Sequence, residues 1–242
     1  MARIEQVAAQ VNEARALRQQ AMEEAAALVK AVLHNLTKTV KPTGKLSDVL
    51  SEPPRNGWSA RCDNAEGGIP VLSLAAVTGF RYRGKEFKRT SLHAATDGHF
   101  WLKAGDLLIT RSNTPELVGH AAIYDGNPSP CIYPDLMMRL EFKGSRVDRR
   151  FVWYWLQSPA VREFISRTAK GTSPTMKKIS QGTVMAIPFP SSLTLLEQEQ
   201  IVTHLDGLQE KTDALKALQS ETSAELNALM PSILDKAFRG EL

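Results

Sequence analysis

Apolar residues near the start of the chain fall at Ile4, Val7, Val11, Ala14, Ala21, Ala25, Leu28 and Val32. Steps of three and four alternate, which is the seam spacing of a coiled coil. Ala, Glu, Gln, Arg and Leu fill the positions between, and no Gly or Pro occurs before Pro42. Good helix formers without a breaker predict one helix over residues 2–36. The same spacing returns near the end, at Ile201, Leu205, Leu208, Thr212, Leu215, Gln219, Thr222, Leu226, Leu229 and Ile233. Thr194 and Glu197 precede it with the spacing of a capping box, predicting a helix start near Leu195. Gly240 suits a helix stop, and Pro231 predicts a kink or an early end.

The two helices superpose in register. Ile4 falls on Leu205, Val7 on Leu208, Leu17 on Leu218, Leu28 on Leu229 and Val32 on Ile233, and the polar break at Arg18 falls on Gln219. A shared break and a shared ending point to an internal two-copy repeat rather than to two unrelated amphipathic helices.

Between the helices the pattern changes. Gly, Pro, aromatic and β-branched residues mark strands at 68–79, 105–112, 119–126 and 136–142, bounded by turns. Residues 147–169 read as helical with a break at Pro159. Residues 184–190 read as a last short edge strand, because a proline donates nothing to a sheet ladder. The predicted fold is α+β: a mixed globular domain over 39–193, flanked by long helices over 1–38 and 194–242.

Charge is uneven along this plan. Residues 1–38 hold 5 basic and 4 acidic residues, 39–190 hold 21 and 13, and 191–242 hold 4 and 9. The middle domain is therefore net +8 in a chain of net +4, which suggests an anionic partner such as nucleic acid. The two cysteines, Cys62 and Cys131, have no metal-ligand spacing and read as thiols of a reducing cytoplasm. No apolar run approaches the roughly 20 residues that span a bilayer, and the charged N-terminus is no secretion signal.

No catalytic constellation emerges. The phosphate-cradling glycine motifs are absent, and the "IPFP" at 187–190 lacks the Asn or Asp of a base-modifying methyltransferase motif. His34, His93, His99, His120 and His204 stand singly and read as surface or capping residues. Asp106 reads as a turn residue before a strand. Three basic stretches remain. "FRYRGKEFKRT" carries Arg81, Tyr82, Arg83, Lys85, Lys88 and Arg89. "TRSNTPE" carries Arg111, Ser112 and Asn113. "AKGTSPTMKKIS" carries Lys170, Thr172, Ser173, Thr175, Lys177 and Lys178. Arg, Asn, Ser and Thr suit contacts to base edges and phosphates, while Lys supplies phosphate charge. Each residue alone could be a solvated hairpin tip; together they favour DNA.

"MAIPFPSSLTLLEQEQIVTHLDGL" resembles the join between a target-recognition domain and a conserved helix in the specificity subunits of type I restriction–modification enzymes. "SILDKAFRGEL" is similar to that family's closing stretch, "AGDLLITRSNT" and "VGHAAIYDG" to its recurrent strand motifs, and "KGTSPTMKKIS" to the stretch before the closing strand. The family has two recognition domains alternating with two related helices that pack antiparallel. Here only one such domain is present, as in a half-length subunit or the second half of a full one. The resemblance implies a non-catalytic subunit that reads half of a split site on double-stranded DNA. It also implies partners: a methyltransferase subunit and a restriction subunit, to which S-adenosylmethionine, ATP and magnesium would belong, so this chain holds no cofactor. Seam residues Ile4, Val7, Val11, Leu28, Val32, Ile201, Leu205, Leu208, Leu215, Leu226, Leu229 and Ile233 would pack the helices or a homodimer. About 35 residues at about 1.5 Å each span roughly 50 Å, or about 15 base pairs. A homodimer would read a symmetric site. The competing readings are a DNA-modifying or DNA-cleaving enzyme with a site hidden in sequence, and a coiled-coil scaffold.

Overall fold

A computed structural model describes residues 2–239 apart from Ser145 and residues 172–174. Helix α1 spans Ala2–Thr39 and helix α5 spans Leu195–Phe238. Contacts divide the chain into a helical unit, Met1–Val32 with Thr203–Leu242, and a mixed unit, Leu33–Val202. Among the described residues no helix is long and apolar enough to cross a membrane. Cys62 and Cys131 are free thiols, and burial pushes the Cys131 thiol up to about 12.

In the helical unit Val11, Leu205 and Thr212 are buried, at 5, 1 and 5 % exposure. Val7, Val32, Leu208, Leu215 and Ile233 are half-buried. Leu28, expected in the seam, is 52 % exposed, and Leu17 and Leu218 are each 60 % exposed. The side chains of Ile4, Leu226 and Leu229, and Gly240, lie outside the described residues. The Arg18 guanidinium donates to the Gln219 carbonyl at 2.6 Å and to the Thr222 hydroxyl. The two polar breaks in the repeat therefore meet each other. α5 runs through Pro231 as one helix, without the early end the proline suggested.

The mixed unit is built on an antiparallel sheet. Strands β2 (Arg55–Asn56), β8 (Met137–Leu140), β5 (Leu107–Thr110) and β7 (Ala121–Ile123) lie side by side in that order. β5 is buried along its whole length, which matches its unbroken apolar run. Strands β3 (Ile69–Leu72) and β4 (Phe87–Thr90) form a second ladder, β6 (Ser112–Asn113) pairs with β9 (Lys177–Lys178), and β1 (Gly44–Lys45) pairs with β10 (Pro188–Phe189). Helix α2 (Arg149–Gln157) starts at Asp148, whose carboxylate accepts from the Arg150 and Phe151 amides at 2.6 and 3.3 Å. Pro159 opens α3 (Pro159–Thr168), where its missing N–H costs nothing. α2 ties the sheet to β10: the Trp153 indole donates to the Ala121 carbonyl at 3.2 Å, and that of Trp155 to the Pro188 carbonyl at 2.8 Å. The rings of Phe151, Trp155 and Phe189 pack together at 5.8 to 6.2 Å.

α5 begins as its capping box predicts within this unit. The Glu197 amide donates to the Thr194 hydroxyl at 3.3 Å, and the Thr194 amide to the Glu197 carboxylate at 2.8 Å. The Thr194 hydroxyl, donating to that carboxylate at 2.7 Å, and then the Thr194 amide hold the Glu197 carboxyl below its ordinary value. Gln198, 2 % exposed, accepts from the Asp148 amide and donates to the carbonyls of Arg146 and Leu193.

Three expectations change. The strand over 184–190 shrinks to Pro188–Phe189, and Val184 lies in a short helix, α4 (Gln181–Met185). Ser180 nucleates that helix by accepting from the Thr183 amide at 3.0 Å. The strand over 68–79 ends at Leu72 and gives way to a tight turn at Leu74–Ala76. Asp106 is more than a turn residue. It is 6 % exposed, accepts from the Lys103 amide at 2.9 Å and lies 3.4 Å from the Arg139 guanidinium. Arg139 also reaches Glu141 at 3.0 Å. Removing Asp106 leaves Arg139 with Glu141 alone and takes the acceptor from the Lys103 amide, so Asp106→Ala should cost about 2 kcal/mol. Urea unfolding measures this, and a loss under about 0.5 kcal/mol, the size of an ordinary surface change, would contradict it.

Candidate nucleic-acid interface

Two of the three basic stretches become one piece of structure. In the β6–β9 ribbon Ser112 lies opposite Lys178 and Asn113 opposite Lys177. The Ile179 amide donates to the Arg111 carbonyl at 2.9 Å, extending the join by one residue. Lys170 and Lys178 then exchange backbone bonds of 2.9 and 2.7 Å, which brings a third strip alongside. Gly171, at φ +152°, closes the connection; an added Cβ would fall 2.6 Å from the Met176 carbonyl oxygen.

The side chains here differ in role. Lys170 and Lys178 are exposed, while Arg111 and Lys177 are half-buried. Lys177 donates to the Gly171 carbonyl at 2.9 Å, and Arg111 lies 3.5 Å from the Asp135 carbonyl oxygen. Among the described residues none of these four cations forms an ion pair. Ser112 is buried at 2 % exposure and Asn113 turns its side-chain oxygen back to the Thr114 amide at 2.9 Å. Thr175 is exposed. Thr172 and Ser173 lie outside the described residues.

The stretch over 80–90 is less free than a hairpin tip. Lys88 and Arg89 belong to β4, opposite Val71 and Pro70. The Arg89 guanidinium donates to the Gly68 carbonyl at 2.7 Å and lies 5.3 Å from the Phe87 ring centre. Arg83 donates to the carbonyls of Ala75 and Thr78 at 3.0 and 2.6 Å. Tyr82 donates to the Asn127 carbonyl at 2.8 Å and packs edge-on against Tyr124, and burial pushes its phenol up. These three side chains are engaged in holding the loop. Arg81, Lys85 and Lys88 are exposed.

Sequence reasoning missed the group that joins this stretch to the second one. The Gly79 amide donates to His120 Nδ1 at 2.9 Å, and the Phe80 ring packs 4.4 Å from the His120 ring. Arg162, on α3, lies 5.5 Å from the other partner of that stack, the Phe80 ring, and donates to the carbonyls of Glu116 and Val118 at 3.1 and 2.8 Å. Residues about 40 apart meet here, and no local spacing announces it. His120 is thus a packed residue rather than the surface or capping residue its isolation suggested. The contacts form one series: Gly79 and Phe80 on His120, 111–113 on 177–179, and Lys178 on Lys170.

Fold and surface define a class: a small α+β unit with joined basic loops, set in the chain between two long helices. The chain is similar to specificity subunits of type I restriction enzymes. It is 27 % identical over 194 residues to the EcoKI specificity subunit of Escherichia coli (strain K12), covering 78 % of this chain and 40 % of that one. It is 28 % identical over 189 residues to the StySPI specificity subunit of Salmonella potsdam, covering 77 % and 40 %. Among solved structures, the HsdS subunit from Thermoanaerobacter tengcongensis matches all of this chain and 57 % of its own, at 25 % identity and a TM-score of 0.61. A chain from a structure on complex assembly and conformational transition of the type I R-M system matches at 25 % identity and a TM-score of 0.71, over all of this chain and 58 % of that one. The chain spans about 40 % of the length of the curated relatives it matches. No protein-family model matches it.

Burial, followed by the Arg162 charge, holds His120 down at about 4 from an ordinary 6.5, and the Glu116 carbonyl only partly offsets this. Between those values the unfolded chain binds a proton that the folded chain does not. Stability is therefore full above about pH 6.5 and falls as pH drops toward 4. Unfolding at pH 7 and pH 5 should show a His120 share of about 1 kcal/mol after solvent screening. His120→Gln should remove that share; an unchanged pH dependence in the variant would contradict the assignment.

Proposed function

We propose that the chain is the DNA sequence-specificity subunit of a type I restriction–modification system, non-catalytic and working in the cytoplasm. The observation that carries this reading is the joining of Arg111, Lys170, Lys177 and Lys178 by the β6–β9 ribbon. Among the described residues those cations form no ion pair, and they sit in a basic domain of a chain similar to specificity subunits. Arg81, Lys85 and Lys88 add charge on the neighbouring loop. Lys170, Lys178 and Lys88 supply phosphate contacts, and base contacts fall to Arg111, Asn113, Thr172, Ser173 and Thr175, whereas the buried Ser112 serves the ribbon itself. The domain over 39–193 reads half of a bipartite site on double-stranded DNA.

The helices over 1–38 and 194–242 pair as an antiparallel coiled coil. Carrying the Arg18–Gln219 contact along two antiparallel helices puts Val32 opposite Leu205 and Ala25 opposite Thr212. The same register puts position 4 opposite position 233. Every one of these residues belongs to the seam read from the sequence, and Leu205 and Thr212 are buried. The coiled coil spaces the recognition domains. It also docks the methyltransferase subunit and, through it, the restriction subunit. A homodimer supplies the second recognition domain.

Each phosphate contact releases counterions, so affinity falls with salt in proportion to the contacts made. Lys170→Ala and Lys178→Ala should each flatten the slope of log affinity against log salt by about 0.9. Arg111→Glu with Lys178→Glu should abolish DNA binding while the fold survives, read by filter binding and thermal melting. Unchanged binding by that double variant would sink the DNA-reading assignment. DNA cleavage by the lone chain with magnesium would mark it as an enzyme instead.

A further inference from the structure

Arg162 is an unusual residue for its place. It is a half-buried guanidinium on a packed helix, and no carboxylate pairs with it among the described residues. Burial lowers its ordinary value to about 10. Its Nη2 holds the Glu116 and Val118 carbonyls, but its Nη1 is buried without a hydrogen-bond partner. Its Cζ lies over the ring of Phe80, a bulky residue at φ +57°, in the left-handed region that side chains avoid. The His120 ring packs 4.4 Å from the Phe80 ring and also accepts from the Gly79 amide. Gly119, at φ +76°, leaves room for the group: an added Cβ would fall 3.2 Å from Arg162 Nη1 and 2.8 Å from Ile165 Cδ1.

A half-buried guanidinium without a carboxylate among the described residues and an aromatic in the left-handed region both work against folding. Two such features in one contact chain need a reason beyond stability. What they accomplish is geometric. They join the loop that carries Arg81 and Lys85 to the segment that follows Arg111–Asn113, and thereby to the β6–β9 ribbon.

We propose, resting on the DNA-reading assignment above, that Arg162, Phe80 and His120 form a clamp that fixes the spacing of the two basic loops. DNA-sequence discrimination depends on this clamp although none of the three touches DNA. They are positioning residues. A loop pair held in one arrangement meets the DNA without an ordering cost at binding, and a loose pair still meets phosphates but loses its register on the bases.

The test uses the full chain with Arg162→Met, Arg162→Lys and Phe80→Leu. Phe80→Leu leaves both carbonyl bonds of Arg162 in place and carries the test if Arg162→Met fails to melt cooperatively. In the free protein, amide exchange should speed up together over 79–83 and 116–120 in Arg162→Met, and less in Arg162→Lys. Unchanged exchange in both stretches overturns the clamp. On DNA, the ratio of affinity for the sequence that the unaltered chain selects to that for random duplex should fall at least tenfold in Arg162→Met. Arg162→Lys should recover most of the ratio, and the salt slope should stay unchanged. A slope lowered by about 0.9 would make Arg162 a phosphate contact and overturn the positioning role. Faster exchange with an unchanged ratio overturns its link to discrimination. If the unaltered chain selects no sequence, the DNA-reading assignment fails, and the exchange result still decides the clamp.

Discussion

The pairing of Gly44–Lys45 with Pro188–Phe189 is the constraint on which the mixed unit depends. It holds the place where the chain enters that unit beside the place where it leaves. The Thr43 amide donates to the Phe189 carbonyl at 3.2 Å, and the Leu46 amide to the Ile187 carbonyl at 2.8 Å. The hydroxyls of Thr43 and Ser192 meet at 3.0 Å. Phe189 is fully buried against Phe151 and Trp155, so this short ladder is anchored by aromatic packing rather than by its few hydrogen bonds. A unit whose two ends coincide can sit between two long helices without interrupting their relation to each other. Its loops are then free to carry whatever chemistry recognition needs.

That freedom is used for charge. The sheet core takes the apolar run of β5, and the Asp106–Arg139 pair neutralises itself inside. Basic residues of the loops and of α3 serve two ends. Arg83, Arg89 and Arg162 hold loops by donating to carbonyls, a task suited to the forked guanidinium. Arg81, Lys85, Lys88, Lys170 and Lys178 are exposed, so the domain keeps its net positive charge for a partner. The short β6–β9 ribbon and the Phe80 stack matter because they order those cations before any partner arrives.

Both long helices were legible in the sequence, because a three-and-four seam and a capping box are local signals. The same holds for β5, β7 and β8, whose apolar runs lie between turn residues. The break read at Pro159 likewise falls between two real helices. The rest was hidden for a common reason. The β6–β9 ribbon joins residues more than 60 positions apart, and the Phe80–His120–Arg162 stack joins three distant segments. Non-local pairings leave no periodicity to read. Composition also misled. Basic residues over 80–90 read as one loop, although Lys88 and Arg89 lie in β4 and the guanidinium groups of Arg83 and Arg89 bond backbone carbonyls. Val184 read as strand from its β-branched side chain, and the Ser180 cap overrode that preference.

One measurement bears most directly on the account. The full chain, with a type I methylating partner, would be offered a pool of random duplex DNA, and the retained fragments would be sequenced. The account predicts a split site whose two halves are identical and inverted, because two copies of one recognition domain would read it. Retention of fragments that share no sequence would contradict it.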